Sequence, residues 1–191
     1  PHDELPKAVA VVNPKLGEYP FTELCGAGVV FKLCQALLAT LEHNLPAGRE
    51  KWWLDMVGVA TIADMVPLVG ENRVLAYYGL TVLRKSRRPG LQQLLKKAKA
   101  NQLYLTEEDV GFTIGPRVNA ASRMDNPEDA FYVLAETDVV KAGARVQHLE
   151  DLNTKRKSQV AQMTKELHQR LSQLDEIPPV LVMGNPDWRP S

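Results

Sequence analysis

The apolar positions of the chain alternate between short unbroken runs and longer periodic ones. Residues 8–12 (AVAVV) are apolar at every position and are closed by Asn13 and Pro14, the pattern of a strand buried on both faces of a parallel sheet. Residues 21–41 (FTELCGAGVVFKLCQALLATL) change to helical spacing, with Thr22 as the N-cap candidate and Gly26 and Gly28 in the first turns, where missing side chains permit tight packing. Residues 52–65 (WWLDMVGVATIADM) predict a mostly apolar, buried helix. Pro67 biases Val66 away from helical dihedrals, so that helix should end near Asp64 or Met65. Further helices are expected over NRVLAYYGLTVLRKS and, from Pro89, over PGLQQLLKKAKA. Thr106 to Asp109 resembles a capping box with Asp in place of Glu or Gln, and Asn126 and Pro127 open a helix over EDAFYVLAE.

The longest periodic pattern runs from Asp138, a good N-cap, to about Leu174. Its apolar stripe is Ala142, Val146, Leu149, Val160, Met163, Leu167, Leu171 and Leu174, interrupted midway by Asn153 and Arg156. A helix of about 36 residues would be about 54 Å long, more than a domain of this size usually holds, so it predicts a connector. Pro178 and Pro179 end it, and VLVM (residues 180–183) begins a new strand. The fold class expected is α/β: a helix-rich part of a parallel-sheet domain over residues 1–137, a connector helix over 138–176, and the start of a second domain over 177–191.

Composition narrows the function classes only a little. In 191 residues, 45% hydrophobic, Lys and Arg total 23 and Asp and Glu total 23, so net charge favours neither nucleic acid nor membrane. The two cysteines, Cys25 and Cys34, would lie about 13 Å apart along one helix, too far for a disulfide. Reduced core cysteines suit a cytoplasmic protein. No apolar run reaches membrane-spanning length. The first residue is not methionine, and VLVM arrives with no later strand to pair with, so the chain reads as an excised fragment.

Asp64 is the charge that local physics explains least. A carboxylate at a helix C-terminus faces the negative end of the helix dipole, and among apolar neighbours it loses hydration as well. A hard divalent cation such as Mg²⁺ or Mn²⁺ would offset both costs; capping of the next turn or pairing with Arg73 are the plainer alternatives. His2, His43, His148 and His168 are scattered, without metal-ligand spacing, and read as surface or packing residues. One aspartate cannot hold a catalytic metal pair, so any partners of Asp64 lie outside this chain. In GPRVNAASR, Arg117, Asn119 and Arg123 surround small residues: the arginine forks match phosphate oxygens, Asn119 adds a neutral donor, and Ala120, Ala121 and Ser122 let a backbone approach. Arginines bound to carboxylates are the alternative. The basic stretch RKSRR with KKAK reads as a solvated helix end or a non-specific nucleic-acid contact. Of the adjacent Trp52 and Trp53, one is expected in the core.

Taken in order, ELPKAVAVVNPK, ELCGAGVVFKL, DMVGVATIADMVPLVGENR, RRPGLQQLL, GFTIGPRVNAASRMDNPEDA, LEDLNTKRK and GNPDWRPS resemble consecutive signatures of the RecJ family. That family comprises single-stranded-DNA-specific exonucleases of the DHH phosphoesterase superfamily. The resemblance covers essentially the whole chain and implies a central fragment, with the family's first aspartate motif and its Asp-His-His motif lying upstream of it. It implies that Asp64 carries the fourth metal-site motif for two Mn²⁺ or Mg²⁺ ions, and that Arg117, Asn119 and Arg123 contact phosphate. Asn153 and Arg156 would stand where a DNA strand passes, although hydrogen bonding to the first domain would explain them equally well. Ser122 stands where the family usually has glycine, and Arg189 where it often has histidine. The implied activity is 5′ to 3′ hydrolysis of single-stranded DNA in recombination and repair, by a two-metal mechanism with Asp64 and Arg123 as catalytic residues. Helicase or single-strand-binding protein partners are implied for the parent protein, and the fragment alone should be inactive. Two other readings stand beside it: a DHH phosphoesterase acting on short oligonucleotides or cyclic dinucleotides, and a non-enzymatic helical scaffold.

Overall fold

The computed structural model describes residues 5–174 and 178–188. Arg189 and the boundary expected at 176/177 lie outside the described residues. The helices pack as two units.

The first unit holds the described residues up to Arg87 together with Lys99–Gly115. Its helices are α1 (Gly26–Thr40), α2 (Leu54–Ala63) and α3 (Gly70–Leu83), with 3₁₀ turns at Arg49–Trp53 and Gln102–Tyr104. α2 is the centre of this unit. It is mostly apolar, burying Val57, Val59 and Ile62, and its buried polar side chains are bonded, Asp55 accepting from the Ser86 hydroxyl and Thr61 donating to the Val57 carbonyl. It meets α3 at its closest through two glycines: a Cβ on Gly79 would lie 2.5 Å from the Gly58 Cα. Phe31, Val57 and Leu75 form a cluster where α1, α2 and α3 meet, and Trp53 packs against it while Trp52 stays exposed.

The second unit holds Arg88–Ala98 and the described residues from Pro116 onward. It comprises α4 (Pro89–Ala98), α6 (Gly115–Met124, from its second residue), α7 (Glu128–Ala135) and α8 (Val139–Leu171). Gly90 lets α4 meet α7, since a Cβ there would fall 1.7 Å from the Val133 carbonyl oxygen. α8 is the expected long helix, 33 residues and about 50 Å. Asp138 caps it, its Oδ1 accepting from the Lys141 N–H at 2.8 Å. Ala142, Val146, Leu149 and Leu152 are buried, whereas from Lys155 onward no residue of α8 is fully buried.

Three local expectations are corrected. No strand occurs among the described residues: residues 8–12 and 180–183 are irregular, with Val9, Val12, Val180 and Val182 exposed. Strand geometry requires a neighbour to take up alternate backbone groups, and neither segment has one. α1 starts three residues later than Thr22 as N-cap would place it. Cys25 is its N-cap, with Sγ accepting from the Gly28 N–H at 3.4 Å, and Thr22 bonds to Glu23 instead. Cys25 is thus a buried free thiol at a helix end, and Cys34 is free and half-buried within the helix.

Candidate functional site

α2 ends where the sequence predicts, at Ala63 with Asp64 as C-cap. The expected burial of Asp64 is overturned, because its side chain is exposed. The cause is the turn that follows: Met65 adopts φ 55°, a left-handed conformation, and is itself 89% exposed, so the chain swings outward at this corner. Neither plainer alternative operates. Among the described residues no donor reaches the Asp64 carboxylate, and no ion pair joins it to the exposed Arg73.

The corner itself is firmly held. Asn72, fully buried, donates through Nδ2 to the Pro67 carbonyl at 3.0 Å and to the Glu23 carbonyl at 2.7 Å, tying the 64–69 segment to the approach of α1. Gly70, at φ 49°, stands against the Phe21 ring, which a Cβ would approach within 2.8 Å. Beside it Glu71 accepts from Lys32 at 2.8 Å and from the Tyr19 hydroxyl at 2.9 Å. Burial alone would raise the Glu71 carboxyl, but the hydrogen bonds from Lys32 and Tyr19 outweigh it and hold it below the usual range. The same contact with Glu71 raises Lys32, while burial and the Glu71 hydrogen bond raise Tyr19.

Thr106 and Asp109 form the expected capping box of the short helix α5 (Glu107–Asp109), which leads into a π-helical turn, Val110–Ile114. That turn packs on α2, and a Cβ on Gly115 would sit 3.5 Å from the Ala63 Cβ. The first residue of GPRVNAASR therefore lies against the residue preceding Asp64.

The rest of the motif is helical and belongs to the second unit. Ala120 and Ala121 are completely buried, so these small residues pack the fold and are not open to a ligand backbone. Arg117 donates through Nε and Nη2 to the two carboxylate oxygens of Glu150 on α8, at 2.6 and 3.3 Å. Its fork is occupied by a carboxylate. Asn119 and Arg123, one helical turn apart, are exposed. No hydrogen bond or ion pair joins the Arg123 guanidinium to another described residue. On α8, Asn153 is 1% exposed and accepts from Arg156 Nη2 at 3.4 Å; Asn153 Nδ2 and Arg156 Nε have no partner. The basic stretch is partly committed internally: Arg84 donates to the Leu105 carbonyl and Lys97 to Gln147.

Sequence spacing did not bring His148 near any ligand, yet the structure places it 3.2 Å from Asp129 with Asp125 alongside. Glu150, the partner of Arg117, was equally invisible, being 33 residues away. Only packing of α8 against earlier helices reveals either.

The chain is 37% identical to the single-stranded-DNA-specific exonuclease RecJ of Bacillus subtilis over its whole length. It is 34% identical to that of Escherichia coli over 98% of its length. It spans only 23% and 35% of those relatives, respectively. A crystal structure of RecJ bound to manganese superposes with a TM-score of 0.72 at 34% identity, covering 82% of this chain and 39% of that one. Magnesium-bound RecJ from Thermus thermophilus gives the same score over 86% of this chain and 25% of that one. No family model matches. No helix among the described residues is long and apolar enough to cross a membrane.

Proposed function

We propose, from the premise that the chain is a homologue of one segment of the RecJ exonucleases, that it forms part of a metal-dependent nuclease hydrolysing phosphodiester bonds of single-stranded DNA from the 5′ end, in recombination and repair. In this reading residues 1–137 contribute to a DHH-type domain, α8 connects it to a second domain, and helicases or single-strand-binding proteins are partners of the whole protein. The observation that carries the proposal is Asp64: an exposed carboxylate without a partner, set on a corner that Asn72 and Gly70 lock in place.

An oxygen donor held outward in this way fits a hard divalent ion, Mn²⁺ or Mg²⁺, as one ligand of several. Asp64 is not part of any grouping of three ligand side chains among the described residues, and in this reading its co-ligands lie beyond them. Two such ions, when bound, supply an activated water and neutralise charge on the attacked phosphate. The chain's own contribution is positional and electrostatic. Arg123 and Asn119 present donors from one face of α6 to phosphate oxygens, and Arg123 stabilises charge developing there. Arg117, bound to Glu150, fixes α6 against α8. Arg156 carries the charge of the α8 pair, with buried Asn153 orienting it.

The proposal predicts that the 191-residue chain alone releases no nucleotides from 5′-labelled single-stranded DNA with Mn²⁺, whereas a full-length protein carrying the segment does. Stepwise release by the isolated chain would overturn the assignment of the missing ligands.

A further inference from the structure

Three helices of the second unit bring together side chains with no part in the proposed nuclease chemistry. Asp125 follows α6, its N–H donating to the Ala121 carbonyl at 2.9 Å. Asp129 lies in the first turn of α7, and His148 on α8. His148 Nε2 is 3.2 Å from Asp129 Oδ2, and one ligand atom from each of the three residues lies within 4.8 Å of the other two.

Two features separate this cluster from an ordinary acidic surface. One donor is an imidazole nitrogen aimed at a carboxylate, so the set is mixed, N with two O, and drawn from three separate elements. The second is electrostatic: two carboxylates converge, and Asp125 accepts no hydrogen bond from a described residue to offset their repulsion. A divalent cation held between them would offset that repulsion.

We propose that Asp125, Asp129 and His148 form a binding site for a divalent transition-metal ion of the zinc class. All-oxygen sites suit Mg²⁺ and Ca²⁺, whereas an imidazole with carboxylates selects Zn²⁺ or Co²⁺. Three protein ligands leave further positions to water. With side-chain exposures of 47% for His148 and 29% for Asp129, the site is open to exchange with solvent. The ion ties the end of α6 and the start of α7 to α8, two residues from Glu150, which holds Arg117 at the other end of α6. Its role is to brace the helix that presents Asn119 and Arg123. It stands apart from the Asp64 proposal and needs no residue used there.

Titration calorimetry of the 191-residue chain with ZnCl₂, in a non-coordinating buffer and a Cys34→Ser background, tests this. One saturable Zn²⁺ per chain is expected, with Co²⁺ giving a visible d–d absorption band at the same stoichiometry. His148→Ala and Asp125→Asn should each weaken binding at least about tenfold, and Asp64→Asn should leave it unchanged. Both altered positions are exposed, and circular dichroism confirms that the variants are folded. Absence of saturable binding, or binding that survives both substitutions, overturns the proposal.

Discussion

The corner that carries Asp64 and the helix that carries Arg123 are held by different forces. The corner and α2 behind it are held by close, uncharged contacts: Gly58 against the Gly79 backbone, Gly70 against the Phe21 ring, and the Asn72 side chain across two carbonyls. On α6, the packing of buried Ala120 and Ala121 is joined by an ion pair, Arg117 with Glu150, whose side chains are 14% and 21% exposed. Close packing is indifferent to salt and pH, whereas partly solvated charge pairs respond to both. A metal ligand tolerates little displacement, so the rigid device suits the role proposed for Asp64. A phosphate donor that follows a moving strand can rest on the softer one.

The comparison can be broken first at the glycines. Gly79→Ala should cost about 3 kcal/mol in overpacking, less about 1 kcal/mol recovered as helix propensity, a net loss of about 2 kcal/mol. Denaturant unfolding should show the same loss at low and high salt. Glu150→Gln should cost about 1–2 kcal/mol, between the values for exposed and buried pairs. In its case the gap from the wild type should narrow in about 1 M salt, where screening acts within about 3 Å. A salt-independent gap would show that α6 is fixed by packing as the corner is.

The smallest effect is expected at Glu71, whose ion pair with Lys32 borders the rigid corner. Its carboxyl is lowered from an ordinary 4.5, so its contribution is complete above that value and is lost as pH falls through the folded one. Lys32 is raised from 10.5, so its share is complete below 10.5 and is lost only as pH rises above the folded value. Glu71→Gln should therefore cost at most about 1 kcal/mol at neutral pH, and unfolding curves of variant and wild type should converge in acid. A gap that persists below the carboxylate range would mean that Glu71 acts through packing.

Features set by neighbours in sequence were legible without coordinates. The Asp138 cap, the Thr106–Asp109 capping box, the end of α2 before Pro67 and the length of α8 all follow from local backbone chemistry. What depended on distant partners was not. Residues 8–12 have the composition of a buried strand, yet composition cannot supply the ladder that makes one. Asp64 sits among apolar letters, but those letters face the core from α2 while the left-handed turn at Met65 sends the carboxylate outward. The pairing of Arg117 with Glu150, and of His148 with Asp129, joins residues 33 and 19 apart, and no periodic pattern encodes either. In GPRVNAASR the structure departs from a phosphate clamp at two small residues, which serve packing, and at Arg117, which is bound to a carboxylate, the alternative the residues also allowed.

The central claim is that Asp64 binds a catalytic divalent ion. Its most direct test is Asp64→Asn in a full-length protein carrying this segment, measuring Mn²⁺-dependent nucleotide release from 5′-labelled single-stranded DNA alongside thermal unfolding. Release should fall to background level with an unchanged unfolding midpoint, since the side chain is exposed and has no partner among the described residues. Release near the wild-type rate from the folded variant would contradict it.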